Sequence, residues 1–157
     1  MTIDELLAKL EKLIGEGGNF EDALEASVEG LHGMDLRFDW TGIYELFPDD
    51  TLRLGPFIGS PTDHVFIGVG QGVCGAAVAQ KRNMNIADVR TVADYLACSA
   101  ETRAELVVLI RDGDRIYGQI DIDSHTAGAF DDRCVDKVQR VADLLARAYE
   151  MRHAESS

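Results

Sequence analysis

The sequence predicts an α+β fold with a central antiparallel sheet and N- and C-terminal helices packed on it. Three observations lead to this prediction. Apolar residues recur at helical spacing at both ends of the chain, within residues 1–33 and 131–152. The middle of the chain is rich in β-branched and aromatic residues that nearly alternate with polar ones. Short polar turns join these segments in pairs, which is typical of antiparallel hairpins.

Helices are predicted at the two ends of the chain. In the first, apolar side chains recur at helical spacing until the sequence GEGG at 15–18, which ends the helix. A second helix is predicted between Asn19, a suitable N-cap, and Gly33. The last helix begins near residue 131, and its apolar stripe includes Cys134.

Strands are predicted in the middle of the chain. They cover 37–47, 50–60, 64–69, 104–110 and 115–124, with a further short or extended segment at MNIADV. The last two flank RDGD, whose Asp-Gly pair is a strong hairpin signal. The glycine- and alanine-rich segment 70–82 predicts a tight turn that leads into a short helix.

Length and charge limit the classes of function. The 157 residues are expected to form one domain, residues 1–157, around a single core. The net charge of −13 repels phosphate backbones and anionic membranes, so neither nucleic acid nor a membrane is an expected partner. The start MTIDELLAKL lacks a signal-peptide pattern, and no apolar run is long enough to span a bilayer. The expected location is therefore the cytoplasm, where thiols are usually kept reduced.

The three cysteines differ in their surroundings. Cys134 lies on the apolar stripe of the last helix and is expected to be a core residue. Cys74 lies within the glycine-rich sequence GVGQGVCG, where the backbone can turn sharply or approach a ligand closely. Cys98 lies where a polar loop meets a strand. From spacing alone, a functional and a structural interpretation of Cys74 and Cys98 both stay open.

A zinc site is an alternative use of the thiols. His64 and His125 are available as further ligands, but their spacing is not diagnostic, and the chain contains neither CxxC nor HExxH. A calcium loop at DIDSHTAGAFDD fails because Thr126 stands where the loop requires glycine. We therefore expect no metal and no cofactor.

Three carboxylates are expected at one end of the second hairpin. Asp121 and Asp123 are two residues apart on a strand, so they share one face of the sheet. Glu105 begins the partner strand, and pairing through the RDGD turn brings it to the same end. Such a cluster is costly unless it faces water, a metal or a cationic ligand. It is therefore either a solvated strand end or, together with a thiol, the mouth of a binding site.

Six motifs occur in an order that resembles a known family. They are WTGIYE, LRLGPFIG, GVGQGVCGAAVA, YLAC, AELVVLI and GQIDIDS followed by GAF. Together they resemble a GAF domain of the free methionine-(R)-sulfoxide reductase type, from about residue 38 to residue 145. The sequence departs from that pattern at His64, where the family often has another cysteine, and at Ser99, where an acid usually follows the nucleophile.

The resemblance implies a role for seven residues. It places the nucleophile at Cys98 and the resolving thiol at Cys74. It also implies that the substrate pocket is formed by five further side chains, namely Glu105, Asp121, Asp123, Trp40 and Tyr44. The three acids are implied to be catalytic as well, with a protonated carboxylic acid as the donor to the departing oxygen. The implied fold is the GAF-like sheet with terminal helices that the elements themselves predict.

The activity implied by the resemblance is the reduction of free methionine-(R)-sulfoxide to methionine. The steps are attack by the thiolate, formation of a sulfenic acid, closure of a Cys74–Cys98 disulfide, and reduction by a thioredoxin-like dithiol. Two alternatives stay open: a GAF domain that senses another small polar ligand without catalysis, and a redox sensor that uses the same thiols. For the reductase and for both alternatives, the terminal helices are candidates for a homodimer contact.

Overall fold

The computed structural model describes residues 1–15, 19–92 and 100–155, and it confirms the α+β prediction. The helices of this part of the chain are α1 (Ile3–Gly15), α2 (Phe20–His32), α3 (Gly72–Gln80) and α4 (Asp132–Glu155). The strands are β1 (Trp40–Leu46), β2 (Thr51–Ile58), β3 (Phe66–Gly68), β4 (Met84–Ile86), β5 (Ala104–Asp112) and β6 (Arg115–Ser124). A 3-10 turn, Val89–Thr91, follows β4. None of the helices described is long and apolar enough to cross a membrane.

The strands form one antiparallel sheet in the order β3-β2-β1-β6-β5-β4. Both predicted hairpins are present, since β1 pairs with β2 and β5 pairs with β6. The turn of the second hairpin contains Gly113 at φ +57°, a left-handed conformation that glycine adopts without strain. Because β1 also pairs with β6, the strand that carries the two aspartates lies in the middle of the sheet.

The ends of the elements follow from local hydrogen bonds. The predicted cap of α2 is confirmed, because the Asn19 side chain accepts a hydrogen bond from the Glu21 N–H at 2.9 Å. The first strand begins at Trp40 rather than at residue 37, because the preceding residues form a turn in which the Phe38 N–H donates to the Asp35 carbonyl oxygen at 3.1 Å. The last helix, predicted for 131–152, begins and ends slightly later.

Two apolar cores lie on opposite faces of the sheet. Residues of α1, α2 and α4 build the larger core, which includes Leu106 and Val108 of β5 and, as predicted, Cys134. Residues of α3 build the smaller core, which includes Val107 of β5. Because strand residues alternate between faces, Glu105 lies on the same face as Val107. The acidic residues are therefore on the face that α3 covers.

Candidate active site

Neighbouring strands place an indole ring and a glutamate beside the aspartates of β6. Asp123 pairs with Trp40 on β1 and with Glu105 on β5. Asp121 lies two residues back on the same face, opposite Gly42 on β1. The Trp40 ring occupies the space that a side chain at Gly42 would need. The register confirms that the three acids meet at one end of the hairpin.

The first turn of α3 brings Cys74 to these acids. Its Sγ donates a weak hydrogen bond to Glu105 Oε2 at 3.6 Å. Gln119 Nε2 on β6 donates to the Cys74 carbonyl oxygen at 3.0 Å, which ties α3 to the sheet. A Cβ at Gly75 would lie 2.5 Å from the Gly68 carbonyl oxygen, so glycine is required for this close approach of α3 to the end of β3.

Trp40 and Tyr44 lie on the same face and are anchored by their polar atoms. Trp40 Nε1 donates to the Ser60 carbonyl oxygen at 3.1 Å. The Tyr44 hydroxyl donates to the His64 carbonyl oxygen at 2.8 Å. Both side chains are buried, and their ring centroids are 6.4 Å apart. They therefore form a rigid aromatic wall beside the acids.

The ionisable side chains of this cluster are almost completely buried. Their exposed fractions are 6% for Cys74, 2% for Glu105, 1% for Asp121 and 1% for Asp123. Burial, and after it the negative charge of Asp123, raises the pKa of Asp121 to about 8. Glu105 and Cys74 lie nearby and lower that pKa to a smaller extent. Neither Asp121 oxygen has a partner at an ordinary hydrogen-bond distance among the described residues. A carboxyl group with such a pKa is about nine-tenths protonated at pH 7.

Cys98, the predicted nucleophile, lies outside the described residues, as does the rest of the segment 93–99. The described chain on either side of that segment joins the same end of the sheet. The Val89 N–H donates to the Arg103 carbonyl oxygen at 2.7 Å, and the Arg103 N–H donates to the Ser124 carbonyl oxygen at 2.8 Å. The chain thus returns to the sheet beside the end of β6. The pairing of Cys74 with Cys98 stays a prediction.

The histidines of the zinc alternative do not join the acidic cluster. His125 Nδ1 lies 3.7 Å from Asp39 Oδ1 and 3.5 Å from Glu101 Oε2. The backbone carbonyl of His64 accepts the hydrogen bond from Tyr44. In the part of the chain that the structure describes, neither histidine belongs to a group of three or more potential metal ligands. A zinc site built on these two histidines is therefore not supported.

Gln119 is a site residue that the sequence analysis missed. It is fully buried, and its Oε1 has no hydrogen-bond partner among the described residues. Its cross-strand neighbours are Tyr44 on β1 and Leu109 on β5, one row from Asp121 on the same face. The period-two spacing from Asp121 within QID was the signal that pointed to this face.

The sheet order, the terminal helices and the position of this site define a GAF domain. The chain belongs to the GAF domain family, whose model matches residues 19–149. Within the family it is similar to proteins named free methionine-R-sulfoxide reductase. The relative of that name in Escherichia coli (strain K12) is 44% identical over 94 residues, which cover 60% of this chain and 56% of the relative.

Two further matches cover more of the chain. The free methionine-R-sulfoxide reductase of Saccharomyces cerevisiae is 34% identical over 83% of this chain and 73% of its own length. The X-ray structure of free methionine-R-sulfoxide reductase from Neisseria meningitidis in complex with its substrate superposes with a TM-score of 0.85 at 28% identity. That superposition covers 97% of this chain and 91% of the other.

Proposed function

We propose that this protein reduces free methionine-(R)-sulfoxide to methionine through a thiol cycle of Cys98 and Cys74. The observation that carries the proposal is the buried contact between a thiol and an acidic cluster. Cys74 Sγ lies 3.6 Å from Glu105, and the raised pKa of Asp121 keeps that neighbouring carboxyl group protonated at neutral pH. The similarity to reductases of this name in bacteria and yeast supports the same activity.

The proposed substrate is a small zwitterion whose charges suit this site. Its ammonium group binds Glu105 and Asp123, because buried carboxylates are stabilised by a nearby cation. Trp40 and Tyr44 contact its apolar side chain and methyl group. The ammonium group also offsets the negative charge that would otherwise disfavour a thiolate beside three acids.

The chemistry transfers the sulfoxide oxygen to a cysteine sulfur. The Cys98 thiolate attacks the sulfoxide sulfur, and Asp121 donates its proton to the sulfoxide oxygen as the S–O bond weakens. The protonated oxygen then shifts to the Cys98 sulfur as the bond between the two sulfur atoms breaks, and methionine leaves. Cys98 carries the oxygen as a sulfenic acid, so the substrate is reduced and the thiol is oxidised. Cys74 then attacks the sulfenic sulfur, and the products are a Cys74–Cys98 disulfide and water.

Regeneration of the thiols requires a second dithiol. A thioredoxin-like protein would reduce the Cys74–Cys98 disulfide by exchange and return both thiols. This cycle suits the cytoplasm, where such reductants operate, and that location is part of the proposal.

We further propose that residues 1–157 form one GAF domain and that the terminal helices α1 and α4 form the contact of a homodimer. Light scattering would measure the mass in solution and so test whether the protein is a dimer.

The function is tested by following the consumption of free methionine-(R)-sulfoxide with thioredoxin, thioredoxin reductase and NADPH. Cys98→Ser should abolish turnover, whereas Cys134→Ser, which changes a thiol in the larger core, should retain it. Turnover that survives Cys98→Ser would exclude the assigned nucleophile. Binding of the sulfoxide without turnover in the wild type would favour a sensor instead.

A further inference from the structure

Three donor atoms at this site are arranged like the ligands of a metal ion. Cys74 Sγ, one oxygen of Glu105 and one oxygen of Asp121 all lie within 4.8 Å of one another. In the described part of the chain, this is the only such group of cysteine, histidine and carboxylate side chains. All three side chains are buried and belong to packed elements, so the donor set is formed before any ion arrives.

The spacing of these atoms suits a tetrahedral zinc ion. Zinc bonds of about 2.3 Å to sulfur and about 2.1 Å to oxygen, at a tetrahedral angle, place the sulfur and oxygen about 3.6 Å apart. The distance from Cys74 Sγ to Glu105 Oε2 is 3.6 Å. The Asp121 oxygen lies within 4.8 Å of both atoms and is the third potential ligand.

The surroundings of Asp121 point to a cation as the missing partner. Its side chain is 1% exposed, and neither of its oxygens has a hydrogen-bond partner at ordinary distance among the described residues. A buried polar group without a partner is costly, and Asp123 adds a second carboxyl group on the same face. A dication bound between these groups would offset that cost.

The thiol determines which cation fits. Mg²⁺ and Ca²⁺ prefer sites made of oxygen ligands, and they gain little from sulfur. Zinc binds thiolates and carboxylates together, and a set of three protein ligands leaves its fourth position for water.

We propose that Cys74, Glu105 and Asp121 bind one Zn²⁺ ion. The thiol proton and the carboxyl proton of Asp121 leave as the sulfur and the oxygens donate lone pairs to the metal, and no group is oxidised or reduced. The bound ion coordinates Cys74, Glu105 and Asp121, so these side chains are not available for their roles in the proposed reaction. Zinc is therefore a reversible inhibitor of that reaction, a consequence that rests on the proposed function, whereas the binding itself does not.

The binding is tested on the reduced full-length chain. Cd²⁺ serves as the probe of the sulfur ligand, because a cadmium–thiolate bond absorbs in the ultraviolet, and competition with a chromophoric chelator gives the affinity for Zn²⁺. We expect one ion per chain and loss of the cadmium absorption in Cys74→Ser. We also expect at least about tenfold weaker zinc binding in Asp121→Asn. The loss of an outer-shell partner of a metal ligand already weakens binding by about tenfold or more, and the loss of a ligand should cost at least as much.

Cys134→Ser is the matched control, because it removes a buried thiol from the opposite face of the sheet and should change neither signal. Circular dichroism checks that each variant is folded, and Asp121→Asn keeps the shape of the side chain. Cadmium absorption that persists in Cys74→Ser, or zinc affinity unchanged in Asp121→Asn, would overturn the proposal. The reductase assay, run with a chelator present, reports on the proposed function separately.

Discussion

Replacing Asp121 with asparagine should make the stability of the fold less dependent on pH. Burial and the charge of Asp123 raise the pKa of Asp121 to about 8 in the folded protein. An aspartate in an unfolded chain has a pKa of about 3.9. The folded state therefore holds this proton more tightly. The stability that the proton confers is present below pH 4 and is lost as the pH rises from about 4 to about 8.

The size of the effect follows from these two pKa values. At pH 7, Asp121 is ionised in the unfolded chain and mostly protonated in the folded one. About three pH units separate 3.9 from 7, and each unit corresponds to about 1.4 kcal/mol. The contribution of Asp121 to the free energy of unfolding of the wild type should therefore fall by about 4 kcal/mol between pH 4 and pH 7. Asparagine has a similar shape and no proton to lose, so its variant avoids that loss.

Urea unfolding of both proteins at pH 4 and pH 7 measures the effect. The stability of Asp121→Asn relative to the wild type should rise by about 4 kcal/mol from pH 4 to pH 7. Asp136→Asn, an exposed change on α4, should show no comparable rise. A relative stability of Asp121→Asn that is the same at both pH values would refute the buried, protonated state of Asp121. The same variant lacks the proposed proton donor, and its turnover should fall at least about 100-fold.

Three further predictions concern the same face of the sheet. Turnover of the wild type should decline as the pH rises through about 8, because Asp121 loses its proton, and a flat pH–rate profile would contradict its role as the acid. Gly75→Ala should destabilise the fold by at least about 2 kcal/mol in urea unfolding, because its Cβ would lie 2.5 Å from a carbonyl oxygen. Gly15→Ala, which meets no atom within 4 Å, is the control, and equal stability of the two variants would contradict this explanation. Tyr44→Phe should cost about 1 kcal/mol in urea unfolding, because it removes the hydrogen bond to the His64 carbonyl oxygen while it keeps the aromatic ring. An unfolding curve identical to that of the wild type would contradict a stabilising role for this hydrogen bond.

The meeting of the three acids at one end of the second hairpin was predictable from the sequence, because a local turn determines which strand ends come together. Asp112-Gly113 defines the hairpin and brings Glu105 to the end of β6, but counting outward from Asp112 and Arg115 would pair Glu105 with Ile122. A register shift between Ile110 and Arg111 makes Asp123 the partner of Glu105 instead. The period of two along β6 then places Asp121 on the same face. The turn and the period of two were therefore sufficient to bring the three acids to one end of the hairpin, whereas their common face depends on a register shift that the turn signal does not reveal.

The contact between Cys74 and these acids could not be predicted from pattern. It depends on how α3 packs on the sheet, and that packing depends on the close approach at Gly75 and on the hydrogen bond from Gln119. Both are long-range features that no spacing reveals. The family resemblance implied a resolving role for Cys74 but not its contact with Glu105. A single glutamine on a strand has no distinctive pattern, so Gln119 could not be predicted as a site residue either.

The most direct test of the thiol cycle is peptide mapping after one turnover without a reductant. The reduced protein is mixed with free methionine-(R)-sulfoxide, quenched with an alkylating agent and digested, and the disulfide-linked peptides are identified by mass spectrometry. We expect methionine to form together with a Cys74–Cys98 disulfide, while Cys134 is recovered in its alkylated form. Methionine production with Cys74 still fully alkylated, or with a disulfide to Cys134, would contradict the thiol cycle.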